Sequence, residues 1–147
     1  MSYFSYTLEC DGKDPLALRD QLADYDGKRT FFDLDRIICE QQISVALARA
    51  DRAFQAENAI ANTWGIEVLL HLVGNNQIAF CIDLVGISSE TTRIGIIQDK
   101  QLQPQNSSLG LKIRPPTEEL LTRYELKKDE PCEDIISKGV TLVVNYE

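Results

Sequence analysis

Residues 62–87 decide the fold, and they read NTWGIEVLLHLVGNNQIAFCIDLVGI. In each half, apolar residues recur at i, i+3, i+4 and i+7, the spacing that places side chains on one face of a helix. They are Ile66, Leu69, Leu70 and Val73 in the first half, and Ile78, Cys81, Ile82 and Val85 in the second. Gly74-Asn75-Asn76 tolerates turn conformations, and Gly86 suits a helix end. The stretch therefore predicts a helical hairpin whose apolar face forms much of the core.

The flanking patterns predict an α+β fold around this hairpin. Before it we expect strands at 2–10 and 29–38, a helix that begins at Asp14-Pro15, and a helix over 40–55. After it we expect a central strand at 91–97, a surface loop at 99–108, a short strand at 109–113, a helix at 117–124, a short helix that starts at Asp129-Glu130-Pro131 and stops at Gly139, and a last strand at 141–146. The prediction is one domain, 1–147, in which a mixed or antiparallel sheet of four or five strands packs against five or six helices.

Composition narrows the classes of function. A chain of 147 residues is long enough for one domain with its own core. The net charge of −8 argues against a protein that coats nucleic acid with its whole surface, although a local basic patch remains possible. No apolar stretch reaches the roughly 20 residues of a membrane span, and the N-terminus lacks a signal pattern, so we expect a cytoplasmic protein. Cys39 and Cys81 fall inside apolar patterns and are predicted to be buried free thiols.

The search for catalytic motifs is almost negative. The sequence contains no phosphate-binding loop, no dinucleotide fingerprint and no zinc-protease motif, and it predicts neither a metal site nor a cofactor. His71 is the one histidine, and Glu67 precedes it by one helical turn. A Glu–His pair at this spacing can orient an imidazole for acid–base chemistry. Because His71 lies on the helix face opposite the apolar stripe, we expect an exposed surface ion pair instead. A small enzyme based on Glu67 and His71 is therefore the most distant hypothesis.

Two surfaces remain as candidates for binding. Arg49 and Arg52 stand three residues apart on a helix, so both can reach one phosphate, although a solvated helix face looks the same. Amide side chains at helix ends can cap a helix or bond a ligand; they are Asn62, Asn75, Asn76 and Gln77. Phe80 and Leu84 form a second apolar row on the last hairpin helix. A second row is either buried or offered to a partner.

The hairpin and the helix before it carry a family resemblance. The residues concerned are Ala50, Arg52, Ala53 and Phe54, then 59–62, 65–70, Gly74, Gln77, Ile78, Gly86 and Ile87. They resemble the archaeal small subunit of the KEOPS complex, the family whose eukaryotic member is called PRPK-binding protein. The similarity is strongest from about residue 36 to residue 98.

The resemblance implies a non-catalytic subunit. It would bind the small kinase-like ATPase of KEOPS and help to hold tRNA through its CCA 3′ end, while another subunit makes threonylcarbamoyladenosine. A single-stranded end is read by amides, stacking and a few phosphate contacts. We assign the tRNA contact to Arg49, Arg52, Asn62, Asn75 and Gln77. We assign the kinase contact to Phe80, Leu84 and Ile87. The alternative is a stand-alone interaction domain of the same fold without an RNA role.

Overall fold

The computed structural model describes residues 3–99 and 110–144. Their elements are β1 (Tyr3–Glu9), α1 (Pro15–Leu22), β2 (Arg29–Asp33), a 3-10 helix (Leu34–Arg36), α2 (Glu40–Gln55), α3 (Trp64–Val73), α4 (Ile78–Val85), β3 (Arg93–Asp99), α5 (Glu118–Tyr124), α6 (Pro131–Lys138) and α7 (Val140–Val144). The fold is α+β, and its strands form an antiparallel sheet in the order β1-β3-β2. The predicted fold class is confirmed, with three strands described in place of four or five.

The sheet separates two apolar layers. Ile94 and Ile96 of β3 face α1 and pack with its leucines. Ile97 and Phe32 face the opposite side, where α2, α3 and α4 build the larger cluster. Gly95 lies opposite Phe32 in the register, and a Cβ at Gly95 would come within 2.6 Å of the Phe32 ring. The missing side chain at Gly95 therefore makes room for the largest residue on this face of β2.

The hairpin forms at its predicted boundaries. Thr63 caps α3 by accepting a hydrogen bond from the Ile66 amide, and Gly74 ends the helix in the left-handed conformation at φ +75°. After the break, the Asn75 side chain accepts from the Gln77 amide at 2.7 Å and leads into α4. The axes of α3 and α4 are bent by 78° from each other. No single helix in the described part of the chain is long and apolar enough to cross a membrane, and only this bent pair reaches that composition together.

Three predictions about strands are wrong or incomplete. The segment expected as a strand over 29–38 leaves the sheet after Asp33, because the Asp33 side chain accepts from the Asp35 amide and starts a 3-10 turn. Residues 110–113 are not a strand. The last segment, predicted as a strand at 141–146, is helical as far as Val144, and Leu142 is buried among the helices. The segments 100–109 and 145–147 lie outside the described residues, and with them nearly all of the predicted loop.

The cysteines divide into two kinds. Cys81 is a buried free thiol, as predicted, and Cys10 is another. Cys39 is half-exposed and is bonded to Cys132, with an S–S distance of 2.08 Å. The prediction of a free thiol at Cys39 is therefore wrong. The two sulfurs are 93 residues apart in the sequence, and only the packing of α6 against the start of α2 brings them together.

Candidate interaction surface

Helix α4 carries the large apolar side chains of the hairpin that are exposed. Its buried stripe consists of Cys81, Leu84 and Val85. Ile78, Phe80 and Ile82 are 38%, 46% and 40% exposed. Ile78 and Ile82 lie one turn apart on one flank of the buried stripe and Phe80 lies on the other flank, and these three residues are called the α4 patch. Asp83 is the single charged residue in the helix. The solvent-facing side of α4 therefore carries large apolar side chains on both flanks, with Asp83 between them.

This arrangement corrects two sequence predictions. Ile78 and Ile82 were expected on the core stripe, but the stripe that packs is rotated toward Leu84. Leu84 and Ile87, expected to meet a partner, are 2% and 7% exposed. Leu84 shares the helix side of Cys81 and Val85, and Ile87 packs with the sheet residues on the α1 side. Of the predicted row, Phe80 alone is accessible, whereas Leu84 and Ile87 belong to the core.

A junction of three helices lies next to the start of α4. The C-terminal turn of α3 meets the end of α6, where a Cβ on Gly74 would lie 3.0 Å from the Gly139 amide nitrogen. Arg49 of α2 reaches the same place and donates from Nη1 to the Ile136 carbonyl at 3.1 Å. Val140 follows directly and is 46% exposed. An accessible apolar residue thus emerges beside the turn that leads to the α4 patch.

The predicted RNA-contacting residues do not form one cluster. Arg49 is half-buried, its guanidinium is used by α6, and burial lowers its pKa. Arg52 and Gln77 are exposed, and the Asn75 side chain caps the turn before α4. Asn62 lies before α3, whereas Asn75 follows it. A ten-residue helix is about 15 Å long, so Asn62 stands at the opposite end from the other amides.

Glu67 and His71 are inside the protein. His71 Nε2 lies 3.0 Å from Glu67 Oε2, and both side chains are fully buried. The other carboxyl oxygen, Oε1, accepts from the amides of Ile60 and Ala61 at 3.0 and 2.8 Å. The prediction of an exposed pair is wrong, because α3 is covered on nearly every side. The pair holds the loop that precedes α3, and the enzyme hypothesis loses the accessibility that it requires.

Asp51 was missed by the sequence analysis, although it connects three elements. Its carboxylate accepts from the Tyr3 hydroxyl at 2.6 Å and from Trp64 Nε1 at 2.8 Å, and Lys28 Nζ lies 3.4 Å away. Tyr3 and Trp64 stack with ring centroids 5.1 Å apart. The four residues are far apart in the sequence, and no local sequence pattern predicts their contacts. This network fixes the end of α2 that carries Arg52.

The accessible features of the structure indicate a class of protein. Among residues 3–99 and 110–144, no group of three or more His, Cys, Asp or Glu side chains is arranged to hold a metal ion. The most distinctive accessible feature is an apolar helix face, which is typical of proteins that bind other proteins.

Comparison with known proteins then gives the family. Residues 10–128 match the family described as kinase binding protein CGI-121, and the chain belongs to that family. It is the family of PRPK-binding proteins and KEOPS subunits, so the resemblance found in the sequence is confirmed at this level. No curated protein matches the chain. Family membership points to a non-catalytic role.

Proposed function

We propose that this protein is the small non-catalytic subunit of a cytoplasmic KEOPS complex and binds the kinase-like ATPase subunit through the α4 patch. The observation that carries the proposal is the exposed apolar side of α4 in a member of a kinase-binding family. Covering apolar surface contributes about 25 cal/mol per Å². Three large apolar side chains, each about two-fifths exposed, can anchor an interface that covers both flanks of α4.

The test is a binding titration with the purified kinase-like subunit. Phe80→Glu should weaken binding at least tenfold, because a carboxylate would be desolvated in an apolar contact. Ile60→Glu is the matched control, since Ile60 is 40% exposed, like Ile82, but lies before α3 rather than after it. Equal binding by wild type and Phe80→Glu would place the interface elsewhere. Failure of the wild type to bind would refute membership in the complex.

The RNA role is the second part of the proposal. A tRNA 3′ end would have to follow α3 along its length, because Arg52 lies beside Asp51, which bonds Trp64 at the start of α3, whereas Asn75 and Gln77 follow the end of α3. Arg49 would support the surface between the two ends. Asn62 precedes α3 at the same end as Arg52 and would take part in that course. A few phosphate and stacking contacts to a single strand suffice for binding despite the net charge of −8.

Arg52→Glu tests this part, and Arg19→Glu is its control, because Arg19 is a partly exposed arginine on α1, on the other side of the sheet. We expect Arg52→Glu to weaken tRNA binding by roughly tenfold at low salt and Arg19→Glu to change it little. Removal of the CCA end should abolish the difference between wild type and Arg52→Glu. A protein that binds the kinase but neither form of tRNA would be the stand-alone interaction domain.

A further inference from the structure

The disulfide between Cys39 and Cys132 has no role in the function proposed above. Cys39 immediately precedes α2, and Cys132 is the second residue of α6. Their Cα atoms are 5.9 Å apart. Cys132 also lies beyond residues 10–128, the part that matches the family. The bond therefore fastens a C-terminal helix to the family-matched part of the chain.

We propose that Cys39 and Cys132 form a reversible redox site that thiols of the glutathione class open and close, and that this bond controls how firmly the first turn of α6 is held against α2. The site is accessible, because both cysteines are half-exposed. An open depression of about 470 Å³ adjoins Cys39 and is lined by Gln41, Ile113 and Arg114. Arg114, with a side chain 67% exposed, is 3.6 Å from Asp35 Oδ1 and would share its positive charge between Asp35 and a tripeptide carboxylate, while Glu40 at the same rim opposes binding.

The helix ends that carry the two sulfurs contribute to the stability of the reduced form. Each cysteine stands at the N-terminal end of a helix, where the helix dipole stabilises a thiolate. A stabilised thiolate is a better leaving group and makes the disulfide easier to reduce. Gln41 Oε1 lies 3.1 Å from Cys132 Sγ and can accept a hydrogen bond from the reduced thiol. The acidic residues Glu133 and Asp134 in the first turn of α6 act in the opposite direction.

Helix α6 has other anchors, so reduction does not release it. Ile135 is 2% exposed in the core, and Arg49 donates to the Ile136 carbonyl. Lys138 Nζ donates to the Tyr124 carbonyl at 2.8 Å. All three contacts lie in the second half of α6. The reduced protein therefore keeps its fold and keeps the two thiols near each other, which a reversible site requires.

The remaining cysteines do not compete for oxidation. Cys10 and Cys81 are buried, and burial raises the pKa of both thiols, to about 12 for Cys81. Because the thiolate is the reactive form, exchange is confined to the accessible pair.

The exchange balances with two glutathione molecules. One glutathione thiolate attacks a cysteine sulfur, the S–S bond breaks, and the other cysteine leaves as a thiolate and is protonated. A second glutathione thiolate attacks the glutathione sulfur of the mixed disulfide, which releases glutathione disulfide and the second cysteine. Two electrons pass from the glutathione thiols to the protein disulfide, and two protons end on the cysteines. Reoxidation runs through the same steps in reverse.

To test this, the full chain is equilibrated in glutathione buffers that cover a series of reduced-to-oxidised ratios. Free thiols are then trapped by alkylation, and the alkylated cysteines are identified by mass spectrometry. Cys39 and Cys132 should titrate together within that range, while Cys10 and Cys81 stay unlabelled. Hydrogen exchange at 131–134 should rise at least tenfold on reduction, with α3 unchanged. Removing a cross-link of this loop length should lower Tm by on the order of 10 °C.

Two variants serve as controls. Cys39→Ser should show the fast α6 exchange in every buffer, and Cys10→Ala should keep the redox dependence of the wild type. Three results would overturn the proposal: no bond in oxidised glutathione, a bond that only a strong dithiol reduces, or α6 exchange that is equal in both states. None of these measurements uses the kinase or tRNA, so the outcome is independent of the proposed function.

Discussion

Helices α3 and α4 are both apolar and belong to one hairpin, yet they are buried to different extents. In α3, eight of ten residues are buried. In α4, three of eight are buried. The reason is position: α3 packs against α2, β2 and α4, whereas α4 packs mainly on α3 and the 3-10 helix. Apolar composition therefore predicts that a helix will be buried on at least one side, but it does not predict how many of its sides the same chain covers.

The polar residues of the two helices follow the same division. Glu67 and His71 in α3 bond to each other and to the preceding loop, away from water. Asp83 in α4 has a side chain 82% exposed and makes a 3.6 Å ion pair with Arg123 of α5. A buried polar group has to be satisfied by the protein itself, while an exposed one is satisfied by water. In this hairpin, α3 is part of the scaffold and α4 is part of the surface.

The largest effect is expected from Glu67→Ala in α3. The change removes the acceptor for the Ile60 and Ala61 amides and the partner of His71 Nε2, and we expect a loss of about 3–5 kcal/mol in the free energy of unfolding. Glu67→Gln keeps an oxygen for the two amides and should lose clearly less. Urea denaturation of both variants measures the difference. Equal losses in the two variants would mean that the hydrogen bonds to the Ile60 and Ala61 amides, which only Glu67→Gln can keep, do not contribute to stability.

The second-largest effect on the unfolding free energy is expected on the buried side of α4, in comparison with its exposed side. Leu84→Ala should lower the unfolding free energy by about 2–5 kcal/mol, because it leaves a cavity in the core. Ile82→Ala, on the patch, should change it by less than about 1 kcal/mol. Denaturation curves of the pair check the rotation of the buried stripe. If Ile82→Ala proved as harmful as Leu84→Ala, the stripe expected from the sequence spacing would be the true one.

The sequence predicted the features that depend on local chemistry. Asp14 and Pro15 start α1, Thr117 caps α5, and Gly74 ends α3 in the left-handed conformation, all as the residue types suggest. Gly86 was expected at a helix end, and its requirement is steric: a Cβ there would come within 2.4 Å of the Ile82 carbonyl. Caps and turns are decided within a few residues, so one sequence suffices to find them.

The failures all concern contacts between distant residues. Ile78 and Leu84 are both apolar, and only the position of α3 decides which one is covered. The segment after Gly139 has β-branched residues typical of a strand, but Leu142 joins the helical core and the backbone follows it. Cys39 and Cys132 pair across 93 residues. Such outcomes depend on tertiary packing, which overrides local propensity.

The smallest difference in stability, and the largest in accessibility, is expected between two α4 variants that share one background and are compared by thiol labelling. We take a background of Cys10→Ala, Cys39→Ser and Cys132→Ser, in which Cys81 is the one thiol left, and compare it with the same chain carrying Ile82→Cys and Cys81→Ala. At pH 8, iodoacetamide should react with the thiol at position 82 at least roughly a hundredfold faster, because burial raises the pKa of Cys81 to about 12.

The raised pKa of Cys81 also determines how stability and thiol labelling change with pH. The folded pKa of Cys81 lies above its ordinary value of 9.0, so its contribution to stability is complete below pH 9 and is lost as the pH rises toward 12. Labelling of Cys81 should therefore accelerate in that interval together with unfolding, whereas labelling at position 82 should follow the titration of an ordinary thiol. Equal rates at pH 8 would mean that α4 separates from α3 in solution, and the contrast between the two helices would then be one of dynamics rather than of burial.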